Sequence, residues 1–484
     1  MGGVLGGAPF NDQFHHPSAL QVGLITGLYD IGCLLGSLGA LLFSEAHGRK
    51  RSIIFGALVS LIGAILQSTA KTVPHLMVAR VITGVGVGVM TANVPVWQSE
   101  VSNANNRGIL VTIQSANINS GFVLSTWVTF GTAYVTRSQF QWVFPIALQV
   151  VFPVYLLIMV PFLVESPRWL ALHGSTGQAT RVIAQLRDLP EDDDEVVRTR
   201  NEIELALEAE KPGSFLDLFR NGGQQNFRRM MLGVTALSMQ QLTGINSVAY
   251  YIPVILQEYV GLSNVISHIA AAAGSTQCLC FSFLPILYIE RIGRRKSLLI
   301  GAAGMTIAMV LICIGFNIHT KGAPIMITVM YYLFYDFFTT SYLSVPWMYA
   351  AEINSLRTRS QGMALASASN WLLNGVIVTI TPIGLQNLGW RFYIVWTTIN
   401  FSFIPIVYFL FPETGGLSLE QIDHIFEGKG QGWSGFTQGV HESTQRSLRH
   451  HQWAEVAEMH PHQVDENALE EKEKFPNSTE VENI

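Results

Sequence analysis

Glu45-Ala46-His47-Gly48-Arg49-Lys50-Arg51 is a dense basic turn between two long apolar runs, Ala19–Phe43 and Ile53–Thr69. Far downstream Glu290-Arg291-Ile292-Gly293-Arg294-Arg295-Lys296 repeats it, again between apolar runs. Both place Glu three residues before Gly and three cations after it. The two glycines are 245 residues apart. Two further pairs keep nearly that spacing. Glu100 precedes Arg107-Gly108 by seven residues and Glu352 precedes Arg359 by seven, an offset of 252. Glu165 in Glu165-Ser166-Pro167-Arg168 answers Glu413 in Pro412-Glu413-Thr414, an offset of 248. Three markers in one order at one period predict two copies of a single unit.

Composition says where that unit resides. Of 484 residues 49% are hydrophobic and only 13% charged, against roughly 25% charged in soluble domains. Long apolar runs with so few charges predict a membrane protein. The net charge of −5 arises in the tail. From Pro412 onward there are 14 acidic and 5 basic residues, so the rest is slightly basic, with its cations in short loops. Nothing points to nucleic-acid binding. Cys33, Cys278, Cys280 and Cys313 all lie in apolar runs without neighbouring ligand histidines. Neither a metal site nor a disulfide framework is expected, and no cofactor.

A bilayer core needs about 20 apolar residues per helix. Eleven such spans are predicted. Five are in the first half: Ala19–Phe43, Ser52–Ala70, His75–Trp97, Ile109–Gly131 and Trp142–Val164. Six follow: Met230–Gln257, Ile266–Ile289, Ser297–Ile318, Ala323–Tyr349, Gly362–Leu385 and Trp390–Phe411. The predicted organisation is an N-terminal bundle over 1–164, a polar linker with short helices over 165–229, a C-terminal bundle over 230–411, and a tail over 412–484, unstructured after about 428. The cationic loops alternate correctly with the spans, which predicts that they, the linker and the tail face the cytoplasm. Five spans against six leaves the duplication uneven. The repeat maps the first helix of the second half onto positions before Met1, so most of an expected first span, out of twelve, is absent.

These markers resemble the sugar-porter family of the major facilitator superfamily, most of all its fungal sugar and polyol transporters. The matching stretches are Gly48-Arg49-Lys50, Arg80 with Gly84, Gly86 and Gly88, Glu100 with Arg107-Gly108, Glu165-Ser166-Pro167-Arg168, Gln240-Gln241-Leu242-Thr243-Gly244-Ile245-Asn246, Gly293-Arg294-Arg295, Pro346-Trp347, Glu352 with Arg359, Asn370-Trp371 and Pro412-Glu413-Thr414. The resemblance implies an all-α membrane fold of two pseudo-symmetric bundles, a central substrate site and alternating access. It implies a plasma-membrane monomer that moves a hexose, disaccharide or polyol, down its gradient or with a proton. A sensor on the same fold, or an inactive truncated transporter, are the alternatives. A Gly-Tyr-Asp stretch usual in the family's first span is absent. No nucleophile–base–orienter set suggests an enzyme.

A sugar presents many hydroxyls and a few apolar faces, so its site needs amides, which both donate and accept, and an aromatic plane. By resemblance Gln240, Gln241, Asn246, Asn370 and Asn374 are the amides and Trp347 the ring. Thr243-Gly244 is expected to unwind its helix and expose backbone groups to a cavity. Amides also join helices without binding anything. The family's usual sugar-binding Gln aligns with Ser115, a usual Asn with Cys278, and its Gly-Pro pair with Leu343-Ser344, which weakens any assignment to glucose. Tyr250 and Tyr251 are candidates for an outer gate, or for interfacial belt aromatics. Arg49, Glu100, Arg107, Glu165, Arg168, Arg294, Glu352, Arg359 and Glu413 are expected to form ion pairs that lock the two bundles together at the cytoplasmic end while the site faces outward, and that break on the inward swing. Gly84, Gly86 and Gly88 read as close helix packing. Asp30 and Asp336 lie deep in apolar runs, where a carboxylate is costly and functional by default. Each is a candidate proton carrier or substrate contact, against pairing with a neighbouring helix.

Overall fold

The computed structural model describes residues 2–5, 7–101, 107–135, 138–209, 218–219, 225–318, 320, 322–355, 358–415, 422 and 426. Two short helices, α1 (Gly2–Leu5) and α2 (Ala8–Gln13), precede the first long rods: α3 (Ala19–His47), α4 (Arg49–Ser68), α5 (Val73–Val101) and α6 (Arg107–Ala133). A fifth rod, Phe140–Phe162, is built from α7 (Phe140–Ala147) and α8 (Val151–Met159) with 3-10 turns after each. The polar linker holds α9 (Pro167–Leu172), α10 (Thr176–Arg187) and α11 (Asp194–Ala209), around a small core of Ile183, Ala184 and Val196.

The second half opens with α12 (Asn226–Leu242), α13 (Ile245–Ala249) and α14 (Ile252–Val254), which together make one broken rod. Next come α15 (Asn264–Phe281) and α16 (Pro285–Ile292), then α17 (Arg294–Asn317). A π-turn at Phe338–Tyr342 joins α18 (Ala323–Phe337) to α19 (Val345–Ile353), and α20 (Arg359–Leu388) and α21 (Phe392–Leu410) complete the bundle. Each of the eleven predicted spans is occupied by helical chain, and no strand occurs among the described residues. Among the described residues seven stretches are long and apolar enough to cross a membrane, and one of them, Gln361–Leu410, runs through most of α20 and all of α21.

Local sequence sets the helix ends. Ser18 begins α3 with a capping box: its hydroxyl accepts from Gln21 N at 3.3 Å, and Gln21 Oε1 accepts from Ser18 N at 2.9 Å, so two end donors are satisfied reciprocally. Gly48 and Gly293, with φ of +93° and +84°, make the sharp basic turns from α3 to α4 and from α16 to α17. Small residues set the helix spacing in the first half. A Cβ on Gly84 would lie 2.1 Å from Tyr29 O, and one on Gly88 2.1 Å from Cys33 O, both on α3. The opposite face of α5 meets α4, where a Cβ on Gly86 would be 2.4 Å from Gly56 O. The glycine spacing thus places two neighbours against one helix, as expected of close packing between spans.

The halves meet at the end opposite the basic turns. Positions Gly23 and Gly27 on α3 press on Thr379 and Gly375 of α20, where added Cβ atoms would fall 2.3 Å from Thr379 O and 2.8 Å from Gly375 O. Beside them Thr126 of α6 bonds Ser275 of α15 at 2.6 Å, and Trp127 Nε1 donates to Thr276 at 3.0 Å.

Candidate functional site

The amides converge. Gln240 and Gln241 end α12, where Gly244 (φ +82°) breaks the helix before Asn246 on α13. Asn370 and Asn374, one turn apart on α20, face them. Gln240 Nε2 donates to the Tyr342 and Leu343 carbonyls, both at 2.8 Å, and Gln240 Oε1 accepts from Asn370 Nδ2 at 2.7 Å. Gln241 Nε2 donates to Asn370 Oδ1 at 3.1 Å. Asn246 Nδ2 donates to Gln241 Oε1 and to Asn374 Oδ1, each at 2.8 Å. Finally Asn374 Nδ2 donates to Asp30 Oδ1 of α3 at 3.0 Å. Five amides and one carboxyl therefore form a continuous chain that crosses from one half to the other.

Each amide in that chain has a hydrogen-bond partner, as buried polar groups require, and Asp30 Oδ2 is left without one. The neighbouring cleft, lined by Phe122, Thr126, Tyr250 and His268 among others, measures about 90 Å³, well below the ~300 Å³ where ligand pockets usually begin. The helix break at Thr243-Gly244 is as expected, but its freed carbonyl faces no cavity. Asn400 of α21 takes it, with Nδ2 3.0 Å from Thr243 O. Asn400 is an amide inside the apolar run Phe392–Leu410, which is the one sequence signal it carries. Trp347 is half-buried and packs on Leu237, Ala350 and Ala366, one layer toward the basic end from the amides.

Arg80, inside the predicted span His75–Trp97, is not among the expected site residues. It lies two turns inside α5 and is 9% exposed. Its Nε donates to Ile25 O at 3.0 Å and its Nη2 to Thr26 O at 3.4 Å, and its guanidinium stacks 4.5 Å from the Tyr29 ring centre. A cation inside an apolar run is as informative as a carboxylate there, and Arg80 stands beside Asp30. Asp336 instead pairs within its own half, with Gln277 Nε2 2.5 Å from its Oδ2. The two tyrosines divide. Tyr251 is buried and its hydroxyl lies 3.0 Å from Thr26 Oγ1 and donates to Val378 O at 3.2 Å, spanning the halves. Tyr250 lines the small cleft.

At the basic end the described charged residues work within each half. The described pairs each join elements of one half instead of bridging the two. Arg49 meets Glu100 at 3.4 Å, and Arg294 meets Glu352 at 2.9 Å. Glu165 caps α4: it accepts from Arg49 N at 3.1 Å, Lys50 N at 3.2 Å and Ser166 N at 2.9 Å. Glu413 does the same for α17, accepting from Arg294 N at 2.7 Å and Arg295 N at 3.1 Å, and from Thr414 N and Gly415 N at 3.0 Å each. The reason is electrostatic: unpaired N–H groups at a helix start are an anion site, and a carboxylate fixed there is not free to reach the other half. The same geometry explains the glycines, since a Cβ on Gly48 or Gly293 would sit 2.5 Å from Glu165 or 2.6 Å from Glu413. Arg168 is exposed and has no ion pair among the described residues. Arg107 and Arg359 open α6 and α20, and their side chains lie outside the described residues, as do those of Glu45 and Glu290.

The family model described as "Sugar (and other) transporter" matches residues 7–426. The "MFS-type transporter oryC" of Aspergillus oryzae is 39% identical over 83% of this chain and 76% of its own length. The "Sugar transporter STL1" of Saccharomyces cerevisiae is 34% identical over 88% of this chain and 77% of its own. The "High glucose sensor RGT2" of the same yeast is 31% identical over 84% of this chain, but only 54% of its own length is covered. Among solved structures, the proton:xylose symporter XylE bound to 6-bromo-6-deoxy-D-glucose superposes with a TM-score of 0.75 at 24% identity, over 88% of this chain and 94% of that one, which establishes the shared fold. With paired basic turns, matching carboxylate caps and the family model spanning nearly all described helices, the chain belongs to the sugar-transporter family of the major facilitator superfamily and is a multi-pass membrane protein.

Proposed function

We propose that the chain is a secondary transporter of a sugar or polyol, coupled to protons, that works by alternating access in the plasma membrane as a monomer. The observation that carries this reading is the amide chain from Gln240 to Asp30. It gathers the residue types a polyhydroxylated solute needs and ends on a membrane-buried carboxyl. A substrate hydroxyl replaces an amide–amide bond by an equivalent amide–hydroxyl bond, so entry of the solute leaves few buried groups unpaired. In this reading Gln240, Gln241, Asn246, Asn370 and Asn374 bind hydroxyls and Trp347 packs against the ring. Tyr250 and Tyr251 close the extracellular side, and Asp30 carries the proton. The linker, the tail and the basic turns face the cytoplasm.

The ion pairs at the basic end then act as staples. Arg49–Glu100 and Arg294–Glu352 hold each half rigid, so that the halves rock as bodies. Asp336, held by Gln277, serves packing within the second half.

The test is uptake of a radiolabelled panel of D-glucose, D-xylose, maltose and D-sorbitol into proteoliposomes, with and without an inward proton gradient. Accumulation of at least one solute above equilibrium, abolished in Asp30→Asn with exchange retained, is the expected result. Binding without any flux, gradient or none, would replace the transporter by a sensor, the reading that the likeness to a glucose sensor favours.

A further inference from the structure

Asn374 occupies a position unlike that of the other amides. Its Oδ1 accepts from Asn246, inside the amide cluster, while its Nδ2 donates across the halves to Asp30. Asp30 is fully buried, and among the described residues this is its one hydrogen bond; Oδ2 has no partner. Arg80, the cation facing Asp30 from α5, makes no ion pair with it and is engaged by the Ile25 and Thr26 carbonyls and the Tyr29 ring. The other titratable groups around Asp30 are Tyr250 and Tyr251 from the broken rod, and Tyr29 and Cys33 from its own helix. The bond also sits in the seam. A Cβ on Gly375, next to Asn374, would be 3.2 Å from Asp30 Cβ, and Gly27, one turn from Asp30, contacts Gly375 and Thr379. Parting the halves at this end therefore breaks the Asn374–Asp30 bond.

We propose that Asn374 is the coupling residue, which passes its amide N–H between the Asp30 carboxylate and a substrate hydroxyl. The idea rests on Asp30 as the proton carrier. With this end closed and the site empty, the N–H donates to Oδ1. A donor to a carboxylate favours the ionised form, so the proton leaves Oδ2 for water on the basic-turn side. When this end opens, the bond breaks and Asp30 loses its donor. The neutral acid is then favoured, and Oδ2 takes a proton from water on that side. The released N–H is now available to the solute. One proton and one solute move in the same direction per cycle, and substrate and proton affinities raise each other, as linkage demands.

Two measurements on the full-length chain test this. The first needs no substrate: infrared difference titration of the protein in lipid, with the Asp30 carboxyl band assigned by its loss in Asp30→Asn. Removing the one charge-assisted donor in Asn374→Leu raises the titration midpoint by about one pH unit or more. Asn246→Ala, which removes the donor to Asn374 Oδ1, leaves the midpoint in place. An unchanged midpoint in Asn374→Leu, repeated in Asn374→Ala, overturns the proposal. So does the absence of any Asp30-dependent band. The second is the ratio of sugar-induced proton uptake to counterflow of the radiolabelled solute that the wild type moves. The expected fall in that ratio for Asn374→Leu is about tenfold or more. Proton uptake and counterflow that decline together make Asn374 an ordinary ligand and overturn it. A wild type that moves none of the panel defeats the transport reading instead, and the infrared result alone then decides the role of Asn374.

Discussion

Replacing Glu413 by glutamine should unfold the second bundle more easily than the matching change at Glu165 unfolds the first. Glu413 is 3% exposed and divides four backbone N–H groups between its oxygens. Oε1 takes those of Arg294, Thr414 and Gly415, and Oε2 takes that of Arg295. A glutamine retains one acceptor. With its oxygen placed at Oε1 it keeps three bonds, and its NH2 group then opposes the Arg295 N–H, which is left without an acceptor at a cost of about 1–3 kcal/mol. Loss of the negative charge at the partly buried start of α17 removes up to about 2 kcal/mol more. Glu165 is half-buried; its Oε1 reaches Arg49 N, Lys50 N and Ser166 N, and Lys50 N is shared with Oε2 at 3.2 Å. Glu165→Gln can therefore leave each of these N–H groups one acceptor and lose mainly the charge term, about 0.3–1 kcal/mol. At roughly 2–4 °C per kcal/mol for a unit of this size, Glu413→Gln lowers the unfolding temperature in detergent by roughly 2–20 °C, and Glu165→Gln by less, no more than about 4 °C. Equal shifts in the two variants, or none in Glu413→Gln, would refute the assignment of these carboxylates as helix caps of unequal burden.

Three other outcomes are expected. Gly48→Ala and Gly293→Ala each force a side chain into a glycine-only backbone region and against a carboxylate; each should cost about 1–3 kcal/mol from the backbone alone, read by thermal unfolding. Gly23→Val introduces a branch where even a Cβ is 2.3 Å from Thr379 O, so the far end cannot close. A cysteine placed at Val22 in that variant should stay reactive to a membrane-impermeant maleimide from the non-basic side, and protection equal to that of the parent would contradict the seam described here. Gln241→Ala removes the amide that joins Asn370 to Asn246 and should raise the half-saturating concentration for the transported solute by about 10-fold, with unchanged uptake kinetics arguing against the site.

Much of the fold was legible because membrane spans write themselves into composition. A stretch such as Arg49–Ser68 has to satisfy its backbone internally in lipid, so twenty mostly apolar residues after a basic turn read as a helix without further context. The broken rod was legible as well, through Gly244. The roles of the basic-end carboxylates were not. Glu165 and Glu413 have the same sequence signature as a partner for arginine, and only the fold brings each onto the start of α4 or α17, where backbone donors outcompete a flexible guanidinium. Arg80 lies inside the predicted span His75–Trp97, but its partners, the Ile25 and Thr26 carbonyls and the Tyr29 ring, come from α3, and only the fold brings them near.

By itself the sequence determined the class of molecule, its duplication and the residue types available to a site, because hydropathy, charge placement and period are properties of the chain alone. Which of those residues touch was decided by tertiary structure. Asp30 and Asn374 are 344 residues apart in sequence, and no periodicity relates them. They meet because glycines on α3 and α20 remove the side chains that would hold the two halves apart.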